Sequence, residues 1–170
     1  MNRLSKLIFY VLLVILGLVI FTKSIFLIGM TNSGDPNRVI IPLGIDYSQC
    51  KIFEPTCMYY QLVHFPHIKI VYFSSMSYVL LLSMLLNYII NPISSGYNII
   101  FLSSLLALGY FLALSYWIKN ILNKNRYILS SIMLILMMYI LCDNLFMQYF
   151  ITFYQESTFI VFMLAFTVDF

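Results

Sequence analysis

The chain has 170 residues, of which 62% are hydrophobic and only 9% are charged, and its formal net charge is +3. Soluble domains carry about 25% charged residues, so this composition excludes an ordinary soluble domain and indicates an integral membrane protein. The nine basic residues are too dispersed to form the clustered basic face that nucleic-acid binding requires. We therefore exclude nucleic acid as a partner and expect the lipid bilayer to be one.

The first predicted transmembrane helix covers residues 7–30. Residues 7–21 are uncharged and follow Arg3 and Lys6, which is the pattern of either a signal-peptide core or a membrane span. The apolar pattern resumes after Lys23 and no small-x-small cleavage site follows, so we favour a span. We expect the Lys23 stem to lie along apolar surface while its ammonium reaches the interface at the far end of the helix.

Residues 31–69 are the one long segment suited to water, and we predict that they form a loop of 39 residues between the first and second helices. The segment holds four of the five prolines, two of the three cysteines and both histidines. The turn sequence NSGDPN and the further prolines at Pro42, Pro55 and Pro66 prevent a long helix here.

Three further spans are predicted at residues 70–90, 98–118 and 127–149. The first of these has 21 residues, a length of about 31 Å at the helical rise of about 1.5 Å per residue. Pro92 ends it, because the residue before a proline is disfavoured in the α region. Trp117, at the end of the next span, is typical of an aromatic interface anchor.

The apolar residues 158–168 are too few to cross a bilayer unaided, so we expect a membrane-embedded or interfacial tail. An imperfect fifth span over residues 145–168 is the alternative. The predicted fold class is therefore an all-α integral membrane protein with four transmembrane helices, or five, forming one membrane domain over residues 1–170. The chain contains no GxxxG pattern, so we expect bulky side chains to interlock at the helix contacts.

The distribution of lysine and arginine predicts an orientation. With four alternating spans and the N-terminus outside, seven of the nine basic residues lie inside, as the positive-inside tendency favours. We therefore expect residues 31–69 and 119–126 to share the inner compartment.

Cys50, Cys57, His64 and His67 are the candidate metal ligands. Their spacing, C-x6-C-x6-H-x2-H, is a weak match to structural zinc sites, in which paired ligands usually lie two to four residues apart. We favour reduced loop cysteines beside interfacial histidines, and predict no metal. A zinc site and a Cys50–Cys57 disulfide, which requires an oxidising compartment, are the alternatives.

Asp143 is the one carboxylate inside a predicted span, and an intramembrane acid is a candidate functional group. Asn144 and Gln148 are its nearest polar neighbours in the sequence. We favour an interfacial or hydrogen-bonded acid over a proton relay. The chain contains neither a phosphate-binding glycine loop nor a Ser-His-Asp set, so we predict no catalytic residues, no cofactor and no enzymatic activity.

Two short stretches resemble known families. Cys50 and Cys57, with the MYYQLVHFP that follows, resemble the first loop of the claudin and peripheral-myelin tetraspan group, which also has four spans and a cysteine pair there. This chain has Gly44, Ile45 and Asp46 where that group has Gly-Leu-Trp. Residues 34–50 are similar to the segment after the first span of choline-transporter-like proteins. We adopt neither resemblance as an assignment.

We predict a non-catalytic subunit of a larger integral membrane complex. The chain has no active-site set, few small residues for self-association and a surface so apolar that other subunits or lipids must cover it. The bias toward Phe, Tyr, Ile, Asn and Lys over Ala and Gly indicates an AT-rich genome, which favours a respiratory or ATP synthase assembly of a mitochondrial or bacterial inner membrane. A claudin-like junction or scaffold protein is one alternative. A transporter or channel component that uses Asp143 is the other.

Overall fold

The computed structural model of the chain describes seven stretches, and everything below concerns these residues: 3–26, 37–46, 57–62, 74–92, 96–121, 127–152 and 155–166. In chain order they form α1 (Arg3–Phe26), α2 (Asn37–Ile40) with a 3-10 turn at Ile41–Leu43, β1 (Ile45–Asp46), β2 (Tyr59–Leu62), α3 (Ser75–Ile90), β3 (Gly96–Asn98), α4 (Ile100–Ile121), α5 (Tyr127–Leu141), α6 (Asn144–Met147) with a 3-10 turn at Gln148–Ile151, and α7 (Gln155–Phe166).

Two described helices are long and apolar enough to cross a membrane: α1, and α4 over Ile100–Ile118. α3 and α5 are apolar but shorter, with 16 and 15 residues, or about 24 and 23 Å. A bilayer core is about 30 Å thick. The structure therefore supports a mostly helical protein with two candidate membrane spans, and the four predicted spans are supported in part.

The start and end of α3 follow from its flanking residues. Ser74 forms a capping box, in which its hydroxyl accepts from the Ser77 amide at 3.3 Å and its own amide donates to the Ser77 hydroxyl at 3.2 Å. The described helix therefore begins at Ser75, and residues 70–73 of the predicted span lie outside the described residues. The predicted end before Pro92 is confirmed, because the helix stops at Ile90.

α4 is the central helix, since it contacts α1, α3 and α7. It packs antiparallel to α1, because the Ser103 hydroxyl near its start donates to the Ser24 carbonyl near the end of α1. Two turns further along, the Phe111 ring lies against Gly17, where an added Cβ would be 3.2 Å from Phe111 Cε2. A bulky ring thus packs against a single glycine, so this contact between α1 and α4 uses a small residue on one side, unlike the interlocking of bulky side chains that the sequence predicts.

Residues 127–149, the predicted fourth span, do not form one continuous helix, and a fourth membrane span is not confirmed. α5 ends at Leu141, and the chain then turns through Cys142 and Asp143 before α6 and the second 3-10 turn. α5 packs mainly against α1, while the 3-10 turn contacts both α1 and α4.

The predicted apolar tail, residues 158–168, is helical from Gln155 to Phe166, and residues 167–168 lie outside the described residues. The helix α7 packs against α4 and α3. Its buried Thr158 hydroxyl lies 3.3 Å from the hydroxyl of Ser75, at the start of α3. The tail is therefore part of the helix bundle.

A small antiparallel sheet closes one end of the bundle, with β2 between β1 and β3. β1 and β2 follow α1 in the chain and β3 follows α3, so the main-chain hydrogen bonds of the sheet link these two connecting segments. The sheet lies beside the end of α1 and the start of α4. We call this the sheet end. Four alternating spans would put β2 and β3 on opposite faces of the membrane, whereas the two strands pair here. Lys119, in the last turns of α4, lies at the other end of the bundle from β2. Much of residues 31–69 and 119–126 lies outside the described residues, and their shared compartment stays a prediction.

The described bundle has an apolar core that also contains buried polar side chains, and its outer surface is apolar as well. Eight Ser, Thr and Asn residues are buried: Ser24, Ser77, Ser83, Asn87, Ser103, Ser131, Thr152 and Thr158. Large apolar side chains are exposed along α1, α3 and α5, with Tyr139 85% exposed. A soluble protein of this size rarely exposes so extensive an apolar surface, whereas a lipid-facing one requires it.

Candidate functional site

The interruption between α5 and α6, which we call the helix break, is the most unusual polar feature of the bundle. It consists of Leu141, Cys142 and Asp143. The last carbonyl groups of a helix have no intrahelical donors, and at membrane depth the protein itself must satisfy them. Side chains from α1 and α4 supply two of these donors.

Lys23, in the last turn of α1, supplies the first donor. Its Nζ donates to the carbonyl oxygen of Cys142 at 2.6 Å. The ammonium also interacts favourably with the negative end of the α5 dipole. Lys23 is half-buried and binds the helix break; the expectation that its ammonium reaches the membrane interface stays a prediction.

Tyr110, in the middle of α4, supplies the second donor. Its hydroxyl donates to the carbonyl oxygen of Leu141 at 2.8 Å. Its buried ring packs edge to face against Phe150, with ring centroids 5.1 Å apart and an angle of 74° between the planes. This single side chain therefore fastens the end of α5 and the turn after α6 to the central helix.

Asp143 and Asn144 begin α6. Asp143 Oδ1 accepts from the Asn144 amide at 2.8 Å, and its carbonyl oxygen accepts from the Met147 amide at 3.0 Å. Aspartate is a preferred residue at a helix start because its carboxylate can accept from free amides. Both side chains are exposed. The local role of Asp143 is therefore to start α6, and its action as a proton relay stays a prediction.

A second polar group links α3 to the sheet end through Ser83 and Tyr97. The Ser83 hydroxyl donates to the Leu80 carbonyl at 2.7 Å and lies 2.6 Å from the Tyr97 hydroxyl. A serine hydroxyl has one hydrogen, so Tyr97 must donate to Ser83. Burial raises the pKa of Tyr97 well above its ordinary value, although the Ser83 hydrogen bond opposes this. Tyr97 therefore remains a donor at physiological pH.

Asn87 fixes the turn between α3 and α4. Its Nδ2 donates to the Gly96 carbonyl at 3.0 Å, and its Oδ1 accepts from the Asn98 amide at 3.2 Å. The side chain is 3% exposed. The donor and the acceptor of one side-chain amide thus hold β3 against α3. They bind main-chain groups of β3 that have no partner within a helix.

The structure changes the interpretation of the cysteines. Cys57 is disulfide-bonded and Cys142 is a free, buried thiol. Cys50 is the one remaining cysteine of the chain; it lies outside the described residues, as do His64 and His67. Zinc binds cysteine as a thiolate, so the disulfide removes Cys57 from the candidate zinc set. The part of the chain that is described contains no cluster of three or more metal-ligating side chains.

Sequence reasoning missed the residues that organise the helix break. Lys23 and Tyr110 lie far from Asp143 in the sequence, and their hydrogen bonds depend on how the helices pack. A weak signal was present, because Asp143 and Asn144 interrupt an otherwise apolar run. The side chains of Lys23, Tyr110 and Asp143 all form hydrogen bonds with main-chain atoms. Their arrangement therefore positions α5 and α6 against α1 and α4.

No family model matches the chain, and neither the curated proteins nor the solved structures contain a match to it.

Proposed function

We propose that the protein is a non-catalytic, multi-helix subunit that docks within a larger integral membrane assembly. The observation that carries this proposal is the large apolar surface that α1, α3 and α5 expose, in addition to the apolar core that the bundle buries. Most buried hydroxyl and amide groups on α1, α3 and α4 form hydrogen bonds within the chain; among the described residues the Ser115 hydroxyl of α4 is buried without a partner. What remains outside is apolar surface that only lipid or other subunits can cover.

The clearest docking surface is α5. This helix packs mainly against α1 through buried positions such as Leu134, while most of its remaining circumference is exposed. Ile132, Ile135 and Tyr139 are 51%, 53% and 85% exposed. α5 is also short for an independent span, so neighbouring helices of a partner are suited to cover it.

Site-specific photocrosslinking tests this proposal. A benzophenone amino acid at position 132, 135 or 139 should give adducts with other proteins when membranes of the native organism are irradiated. The same probe at the buried position 134 serves as the matched control and should react within the chain alone. Lipid adducts alone at all three exposed positions would contradict a subunit role.

We further propose an energy-transducing inner membrane as the location, in the orientation opposite to the one that the sequence predicted. Arg3, Lys6 and Lys119 occupy the end of the bundle away from the sheet, and basic residues favour the cytoplasmic or matrix side. The Cys57 disulfide at the sheet end favours an oxidising compartment. A membrane-impermeant maleimide should therefore label a Leu4→Cys variant only after the membrane is permeabilised; labelling of intact membranes would contradict this orientation.

A claudin-like scaffold is the second candidate. The sheet and the Cys57 disulfide at one end of the helices support it, because such proteins also carry a cysteine pair in the first loop. The pairing of β2 with β3 weighs against it, since the second turn then lies at the same end as that loop. Tight self-association of the purified chain into strands in vesicles, without other proteins, would favour this candidate.

A further inference from the structure

The end of the bundle opposite the sheet is basic. Arg3 and Lys6, in the first two turns of α1, have exposed side chains. Because α1 and α4 are antiparallel, the last turns of α4, which contain Lys119, lie at the same end. Glu156, in the first turn of α7, is an acidic residue at this end, so basic residues outnumber acidic ones here among the described helices. We call Arg3, Lys6 and Lys119 the basic end.

Aromatic residues lie within about one helical turn of Lys6 and Lys119, on the side toward the middle of the bundle. Tyr10 and Tyr116 are 52% and 48% exposed, and Trp117 is half-buried. Lys6 Nζ lies 6.0 Å from the centroid of the Tyr10 ring, within the range of a cation–π contact. Tyrosine and tryptophan concentrate at the level of lipid headgroups, so this level of the bundle is suited to the membrane–water boundary.

The charges are immediately adjacent to exposed apolar surface. Leu4 and Leu7 are 62% and 61% exposed beside Arg3 and Lys6. An occupant that satisfies both surfaces must combine negative charge with hydrocarbon. A soluble anion or an acidic peptide supplies the charge but leaves the leucines in water, whereas a phospholipid with an anionic headgroup supplies both.

We propose that the basic end binds the headgroups of anionic phospholipids in the adjoining leaflet. Clustered lysine and arginine next to a transmembrane helix attract such lipids through electrostatic interactions that fall off within a Debye length. The acyl chains lie against the exposed leucines of α1, and the phosphates lie at the level of Arg3 and Lys6. This binding surface goes beyond the proposed subunit role and does not rest on it.

The chain carries its own probe for this surface, because Trp117 is the only tryptophan and lies two positions before Lys119. The purified full chain is reconstituted into vesicles of phosphatidylcholine with either brominated phosphatidylglycerol or brominated phosphatidylcholine, and bromine quenching of Trp117 is measured. We expect an association constant roughly fivefold higher for phosphatidylglycerol, the effect of about one basic side chain at a charged surface. High salt should reduce the preference.

The control variants separate lipid binding from folding. Arg3→Gln, Lys6→Gln and Lys119→Gln combined should bring the ratio of the two association constants to one, while Arg38→Gln, in α2 at the sheet end, should leave it unchanged. Circular dichroism must show equal helix content in each variant that is compared, and single substitutions replace any combination that fails this criterion. Equal quenching by the two lipids in the wild type, or an unchanged preference in the triple variant, would overturn the proposal; the second result would assign the preference to charges elsewhere.

Discussion

Replacing Lys23 by methionine tests whether the hydrogen bond from Lys23 of α1 stabilises the helix break. Methionine retains an apolar stem of similar reach but cannot donate to the Cys142 carbonyl, which Lys23 contacts at 2.6 Å. Hydrogen bonds that involve a charged group contribute about 1.5–3 kcal/mol. Because Lys23 is half-buried, we use the lower limit, which corresponds to roughly a tenfold change in an opening equilibrium.

The opening can be measured at Cys142. This residue is 1% exposed and is a free thiol, whereas Cys57 is disulfide-bonded. Alkylation by a maleimide in mild detergent therefore reports how often the helix break opens. We expect the Lys23→Met variant to react about tenfold faster than the wild type.

Two variants make the comparison specific. Lys6→Met removes a lysine from the opposite end of α1 and should leave the alkylation rate of Cys142 unchanged. Tyr110→Phe removes the hydroxyl that binds the Leu141 carbonyl and should raise the alkylation rate of Cys142, as Lys23→Met does. If Lys23→Met and wild type react at equal rates while both remain monodisperse, the ammonium does not stabilise the helix break.

Three further predictions concern the sheet end and the bundle core, each measured by unfolding in mixed detergent–dodecyl sulfate micelles. Asn87→Leu removes two hydrogen bonds to the turn and should lower the unfolding free energy by about 2 kcal/mol. An unchanged unfolding free energy would mean that the turn is stable without the Asn87 side chain. Gly109→Leu places a side chain where even a Cβ would be 3.0 Å from Val161 Cγ1, so stability should fall by about 1–3 kcal/mol, and Val161→Ala should restore part of it if the clash is the cause. Burial raises the pKa of Tyr97, so the folded state keeps the phenol proton at pH values at which the unfolded chain has lost it. The unfolding free energy should therefore be independent of this group at low pH and should decrease as the pH rises above about 10. The Tyr97→Phe variant should show a smaller decrease over the same pH range.

The positions of α1 and α4 could be predicted from the sequence because each is a long apolar run with polar residues at both ends. The end of α3 could also be predicted, since Pro92 forces it. The start of α3 was predicted five residues early, because the serine hydroxyls of the capping box at Ser74 and Ser77 do not lower the hydropathy of the run enough to mark a boundary.

The helix break and the sheet could not be predicted in the same way. Continuing one helix through Asp143 gave a span of suitable length, and nothing local showed that Lys23 and Tyr110 would satisfy the carbonyl groups of an interrupted helix. The strands have two to four residues, which is too short for an alternating pattern to be visible. Without the sheet, the sequence placed the segments that contain β2 and β3 on opposite faces, because strand pairing determines which segments share an end.

Among the candidate site residues, the sequence located the interruption of the apolar run but not the hydrogen bonds that form around it. It identified Asp143 and Asn144 as an interruption of an apolar run, and the structure places both at the start of α6. The sequence interpretation favoured reduced cysteines and kept the disulfide as an alternative. Cys57 is disulfide-bonded, so the favoured interpretation is wrong for this residue, and spacing alone could not show it. The oxidation state of a cysteine depends on the redox conditions of its compartment, which the spacing of the residues does not reveal.

The most direct test of the subunit proposal is the size of the native particle that contains the chain. Membranes of the native organism are solubilised in a mild detergent and separated on a native gel, and the chain is detected by an antibody. We expect it to migrate in an assembly much larger than a monomer or a small homo-oligomer and to co-purify with other membrane proteins. Migration only as a monomer or small homo-oligomer, under conditions that preserve known complexes of the same membrane, would contradict the proposal.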